Sequence, residues 1–281
     1  FSLRILLRPL LGRGRRNLWL TRMQLDSLSP VNYIGSYLLD KPLIWTTKYG
    51  LMLTIIKEEV LKYVMGLLEP YQRRLIHAKK GGIVIDIGAN IGFYTLKFAR
   101  EVGKDGLVVS LEPNPYAFEL LNYNIRLNEI ERRVRPIKLA AFDKSGLELS
   151  FYLEDKGQTP RHDGSVSTIL KKGKLLFSAI TTTVDELVGD SLHRIDIIKI
   201  DTEGAEPEIL KGCIKTIERH RPMLIVEVHN FRVKDTIAAI RSMISNYSYD
   251  AVMVPRHRYE SIGLDNEVTF TVIAYPRRPR N

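Results

Sequence analysis

Between residues 83 and 229 the chain alternates short apolar runs with stretches of helical spacing. The runs are IVIDI at 83–87, LVVSL at 107–111, VRPIKLAAF at 134–142, LELSFYL at 147–153, IDIIKID at 195–201 and PMLIVEVH at 222–229. Around them the 3.6-residue period predicts helices from about Phe93 to Glu101, from Tyr116 to Leu127, from near Glu206, and from Lys234 to Ile244. Runs without polar alternation mark strands buried on both faces, so the pattern predicts a mostly parallel sheet with helices on either side. The chain closes with YDAVMVP at 249–255 and VTFTVIAYP at 268–276, whose spacing predicts an antiparallel pair.

The flanking segments read differently. Residues 154–175 are polar, contain glycines and have no period, which predicts a long loop of the kind that often serves as a lid. LIWTTKYGLMLTII at 43–56 predicts a hairpin turning at Lys48, Tyr49 and Gly50, and residues 57–77 predict a helix broken at Pro70. Near the start, Leu3, Leu6, Leu7, Leu10 and Leu11 fall at helical spacing with arginines between them, and Pro9 interrupts. Two readings stand for this segment: an ordinary N-terminal helix packed on the domain, or a helix lying on a membrane surface or a partner. The organisation expected is a basic arm and cap over residues 1–80, containing the strand pair and helix, and one α/β domain over residues 81–281.

Charge sharpens that division. The net charge is +10, which alone would suggest a nucleic-acid partner. Six arginines (Arg4, Arg8, Arg13, Arg15, Arg16, Arg22) lie in residues 1–25 with no acid, and three more (Arg277, Arg278, Arg280) lie in the last six residues. The tails therefore hold nearly all of the excess, and the body is close to neutral. One cysteine, Cys213, excludes a disulfide framework and a cysteine-based zinc site. No apolar run is long enough to span a bilayer, so a soluble, cytoplasmic body is expected, and peripheral contact to anionic membrane through residues 1–25 stays open as the alternative to a packed N-terminal helix.

The candidate chemistry begins where the first strand ends. IVIDIGANIG at 83–92 runs from a strand into a turn built on Gly88 and Gly92, and SLEPNP places an acid, Glu112, at the end of the next strand. Glycines let a backbone approach a ligand closely, and a carboxylate at that place can accept hydrogen bonds from both hydroxyls of a ribose. Asp86 precedes the first glycine, where a pyrophosphate would gain nothing from negative charge. A sulfonium ligand suits an acid-lined turn, which points to S-adenosylmethionine.

Together VIDIGANIGFYT, SLEPNP, TTTVDELV, IDIIKIDTEGAEPEILKG and IVEVH resemble the FkbM family of S-adenosylmethionine-dependent methyltransferases, over about residues 81–275. The resemblance implies a seven-stranded, mostly parallel Rossmann-like methyltransferase sheet with helices on both faces. It implies S-adenosylmethionine as cofactor and O-methylation of a sugar, glycoconjugate or secondary-metabolite hydroxyl. It also implies that Asp86, Gly88, Ala89, Asn90 and Gly92 line the methionine end of the cofactor, that Glu112 holds the ribose, and that Ala140 and Ala141 lie beside the adenine.

Ligands in open α/β sheets sit outside the carboxyl ends of the strands. If IDIIKID and LIVEVH are neighbours, Asp201, Glu203, Glu227 and His229 gather there. Three readings compete. His229 acts as general base with Asp201 or Glu227 fixing its tautomer; the four residues hold a divalent cation that acidifies the acceptor hydroxyl; or Glu203 caps a helix while Glu227 and His229 are satisfied polar residues. Amine methylation of nucleobases is disfavoured because IDTEG stands where an Asn/Asp-Pro-Pro-aromatic motif is required. Cytosine-carbon methylation is disfavoured because Cys213 falls inside a predicted helix. The alternatives kept are an RNA methyltransferase gripping phosphate with its arginine tails, and a non-catalytic nucleoside-binding or scaffold protein.

Overall fold

A computed structural model describes residues 75–153, 174–229, 232–255 and 270–277, together with four short strands nearer the N-terminus. Those four are β1 (Ile5–Leu7), β2 (Leu18–Trp19), β3 (Leu43–Thr46) and β4 (Met52–Ile55), joined in a sheet of order β2-β1-β3-β4. The hairpin expected at 43–56 is present, with Leu43 opposite Ile55 and Thr46 opposite Met52. The helix expected through Leu6 and Leu7 is not. Those residues pair antiparallel with Trp19 and Leu18, so the apolar triplet Ile5–Leu7 satisfies its backbone across strands rather than along a helix that Pro9 would break. The helix expected at 57–77 lies, up to residue 74, outside the described residues.

The main sheet is built from β5 (Ile83–Ile87), β6 (Leu107–Leu111), β7 (Val134–Ile137), β11 (Ile197–Ile200), β12 (Met223–Val228), β13 (Tyr249–Pro255) and β14 (Phe270–Pro276). Its order is β13-β14-β12-β11-β5-β6-β7. β14 runs antiparallel to both its neighbours, and the remaining pairs are parallel, which is the sheet expected from the sequence. Helices α1 (Phe93–Val102) and α2 (Pro115–Leu127) cover one face. The other is covered by α3 (Val184–Val188), α4 (Glu206–Lys211), α5 (Ile214–His220) and α6 (Val233–Tyr247). Cys213 is fully buried on that second face, where burial pushes its thiol well up, so it is packing and not a nucleophile. Among the described residues no helix is long and apolar enough to cross a membrane.

Two expectations change in the middle of the chain. VRPIKLAAF is two strands. β7 ends at Ile137 on the sheet's outer edge, where Pro136 sits without disrupting a central ladder, and β8 (Ala140–Ala141) leaves to pair elsewhere. β8 joins β10 (Lys174–Thr182) and β9 (Glu148–Leu153) in a small sheet of order β8-β10-β9. Residues 174 and 175, read as the end of a loop, therefore begin a long strand. A register shift between Leu175 and Phe177 breaks its two-residue alternation, which is why no strand pattern shows there. Residues 154–173 lie outside the described residues.

Candidate active site

Period-2 alternation decides which face of the sheet each strand residue occupies. Val84, Val108, Ile197, Ile225 and Ile273 pack on the α1 side. Two residues further along, the same face carries Asp86, Ser110, Lys199, Glu227 and, from the antiparallel strand, Thr271. Asp86 lies opposite Ser110 on one side and Lys199 on the other, and Glu227 lies opposite Thr271. The carboxyl end of the apolar face is thus a polar band crossing five strands, and all five side chains are buried.

On the left of that band stands the glycine turn. Gly88 and Ala89 both donate to the Leu111 carbonyl at 3.0 Å, tying the turn to the end of β6. Gly88, Asn90 and Gly92 all have positive φ (75°, 50° and 98°), and Gly92 opens α1 without any side-chain cap. A Cβ on Gly88 would lie 1.8 Å from the Asp201 carbonyl, so glycine is what lets the turn rest on the end of β11. Glu112 reaches across with both oxygens, Oε2 accepting from the Asn90 amide at 2.8 Å and Oε1 from the Asn114 amide at 2.9 Å. Burial pushes this carboxyl up to about 7, against the pull of those two amides. Asn114 itself caps α2.

Asp86 does not open onto the turn; it supports it from beneath. Its side chain is fully buried, accepts from Thr95 Oγ1 at 2.6 Å, and lies 3.7 Å from the Lys199 ammonium. Burial raises its carboxyl despite both contacts. Lys199 also reaches Asp201 Oδ2 at 3.2 Å and lies 4.9 Å from the Tyr94 ring centroid. Ala141 is buried in the core beneath, paired in register with Thr182.

On the right, β11 and β12 are hydrogen-bonded neighbours, so the four acceptor-side candidates do converge. His229 Nε2 is 3.5 Å from Asp201 Oδ1, and its Nδ1 is 3.3 Å from Glu203 Oε2. Asp201, Glu227 and His229 each present a ligand atom within 4.8 Å of the others. Burial opposes charge on the ring, yet Asp201, Glu203, Glu227 and Glu206 together raise it to about 10. Asp201 moves the other way: burial is outweighed by the Lys199 charge and by hydrogen bonds from His229 and Glu227, leaving it well below the usual carboxylate range.

Glu203 does not cap a helix. The turn after β11 puts Glu203 and Gly204 at φ of 55° and 114°, which aims the Glu203 carboxylate at the imidazole. Glu206 satisfies the turn: its Oε1 accepts from the amides of Thr202 at 3.0 Å and Gly204 at 3.1 Å, and it lies 3.5 Å from His229 Nε2. Arg232 clamps this turn from outside, donating to the Gly204 carbonyl and pairing with Glu208. Lys199, Glu206 and Thr95 escaped the sequence reading. For Lys199 a signal existed, since a lysine inside IIKI at the register of Asp86 must find an anion when buried. For Glu206 and Thr95, each on or opening a helix, nothing in the local pattern separated them from surface positions.

The residues fit S-adenosylmethionine: a close-approach glycine turn, and a buried carboxylate at the end of the next strand, where the sequence reading expects the ribose. Residues 86–251 match the family described as the methyltransferase FkbM domain. Methyltransferase sdnD of Sordaria araneosa is 26% identical over 154 residues, 46% of this chain and 59% of that protein. Hexuronic acid methyltransferase AglP of Haloferax volcanii is 28% identical over 156 residues, 55% of this chain and 59% of that protein. The 31-O-demethyl-FK506 methyltransferase FkbM of Streptomyces tacrolimicus is 21% identical over 207 residues, 65% of this chain and 78% of that protein. The chain thus spans less than two thirds of the length of the first two relatives.

Proposed function

Because the chain belongs to the FkbM methyltransferase family, we propose that it moves a methyl group from S-adenosylmethionine to a hydroxyl oxygen of a sugar, glycoconjugate or secondary metabolite. The observation that carries this reading is the packing of the Gly88 turn directly on the Asp201 carbonyl. It keeps the Glu112 carboxylate, proposed to take the ribose, and the carboxylate–imidazole cluster at the same end of the sheet, on strands separated only by β5. The name of AglP supports a sugar acid as the class of acceptor, and that of the FK506 enzyme supports a metabolite oxygen.

The cofactor, once bound, supplies an electrophilic methyl on a sulfonium whose leaving group is a neutral thioether. The chain's task is to hold that cofactor and to bring in a hydroxyl and take its proton. Glu112 takes the ribose hydroxyls, and the backbone of Gly88, Ala89, Asn90 and Gly92 takes the methionine end, with Asp86 and Lys199 fixing the turn from below. His229 is the group placed to receive the hydroxyl proton, oriented by Asp201 and Glu227 on one side and Glu203 on the other. Its four carboxylate neighbours keep the ring protonated at neutral pH, so it can serve as a base only after positive charge enters the cluster and releases that proton.

Incubating the full chain with methyl-labelled cofactor and fractionated cell extract tests the reading. Label should enter glycan or small-molecule fractions, with S-adenosylhomocysteine raising the melting temperature. Label in RNA, or stabilisation by a nicotinamide dinucleotide and not by S-adenosylhomocysteine, would overturn it.

A further inference from the structure

We propose that Asp201, Glu227 and His229 form a binding site for a divalent cation, with Mn2+ the best match to the donor set. The proposal rests on reading this cluster as the acceptor side of the site. The three residues stand at the ends of two hydrogen-bonded strands, so their backbone is held rigidly. One ligand atom from each already lies within 4.8 Å of the other two. A cation about 2.1 Å from each donor draws such atoms to within about 4.2 Å, which small side-chain rotations supply. Glu227 and His229 are buried while Asp201 is part-exposed, leaving one side open to an incoming hydroxyl. Two carboxylates make the site hard, and the imidazole favours Mn2+ over Mg2+ or Ca2+.

Two further observations point to a cation there. Glu203 sits 3.3 Å from His229 Nδ1, the outer-shell carboxylate that metal-bound histidines commonly hold on their second nitrogen, and it does so from a backbone conformation unusual for a non-glycine residue. Glu206 is fully buried; its Oε1 is used by the turn beside His229, and its Oε2 has no hydrogen-bond partner among the described residues. A buried carboxylate oxygen left this way is destabilising unless a ligand meets it. A cation bound here would occupy one ring nitrogen of His229 while Glu203 holds the other, so it would replace the imidazole's role as base: it would orient the acceptor hydroxyl and lower its pKa, with a neighbouring carboxylate receiving the proton.

Titrating the full chain with Mn2+ while following the electron paramagnetic resonance of the free ion tests this directly. One saturable site is expected, weakened about tenfold or more by Glu227→Gln and by His229→Gln, and about tenfold by Glu203→Gln. The melting shift with S-adenosylhomocysteine should persist in each variant and serves as the control for folding; Asp201→Asn replaces any variant that fails it. Absence of saturable binding, binding untouched by the substitutions, or tighter binding of Mg2+ than of Mn2+ overturns the assignment. Mn2+ binding in a protein that ignores S-adenosylhomocysteine would leave the cation site standing and remove the methyltransferase reading instead.

Discussion

The two halves of the site are made of different material. The half proposed to hold the cofactor is mostly backbone: three positive-φ residues, paired amides on the Leu111 carbonyl, and a single carboxylate, Glu112, that is itself fixed by two amides. The half proposed to meet the acceptor is mostly side chain: Asp201, Glu203, Glu206, Glu227 and His229, drawn from the ends of β11 and β12, the turn after β11 and the start of α4. Backbone geometry specifies one ligand shape and tolerates little change. A side-chain cluster can be retuned without disturbing the sheet.

The halves meet at two points, and the largest effects are expected there. Gly88→Ala forces a Cβ to within 1.8 Å of the Asp201 carbonyl at a φ of 75°. Loss of roughly 3 kcal/mol or more of stability should follow, with cofactor binding and methyl transfer lost together. Urea denaturation and a cofactor melt check it; a variant that loses transfer alone would show that the halves are not mechanically joined. Next comes Lys199→Met, which removes the ammonium between Asp86 and Asp201. Breaking a buried pair in this way destabilises by about 3–5 kcal/mol. A carboxyl left there without its cation has a folded pKa above its unfolded one. A carboxyl whose folded pKa is raised contributes least once it is ionised, so the deficit measured by denaturation should grow as pH rises from the acid range.

The same contrast explains what could be read without a structure. The glycine turn and Glu112 are legible because local backbone chemistry dictates the residues at fixed spacing, GANIG followed by an acid at the next strand end. Parallel strands were legible as unbroken apolar runs, but their order was not, and the adjacency of IDIIKID and LIVEVH entered only as a condition. At the acceptor end, Asp201, Glu203, Glu227 and His229 could be named as residue types, but which nitrogen faces which carboxylate depends on the DTEG turn, whose left-handed Glu203 no pattern announces. Lys199 and Glu206 went unread because both are charged residues whose burial is set by tertiary packing. The strand at 174–182 was hidden by its bulge, and the one at Ile5–Leu7 by leucines that happen to recur at helical spacing.

A cleaner separation of the halves is expected from Asp201→Asn. The amide keeps the shape but cannot hold the charge that His229 and Lys199 face. Methyl transfer should fall about a hundredfold or more, in kcat, while the affinity for S-adenosylhomocysteine changes by no more than a few-fold. Equal loss of both would mean that Asp201 belongs to the cofactor half.

The smallest effect is the most specific to the cofactor half. Glu112 has its carboxyl raised to about 7 by burial, so at pH 8 it is ionised and at pH 6 about nine-tenths protonated. Ribose hydroxyls donate to the ionised form, so affinity for S-adenosylhomocysteine should weaken about tenfold between pH 8 and pH 6. The stability of the unliganded protein should move oppositely. The folded pKa lies above the unfolded value, so the native state takes up a proton that the unfolded chain does not, and stability falls as pH rises from about 4.5 to about 7. Glu112→Gln should flatten both profiles together, binding the cofactor weakly at every pH, with its NH2 set against one of the two amide donors. Calorimetric titration and thermal melts across that window check the pair. A Glu112→Gln protein that retains the pH dependence of cofactor binding would move that dependence away from the ribose carboxylate and into the acceptor cluster.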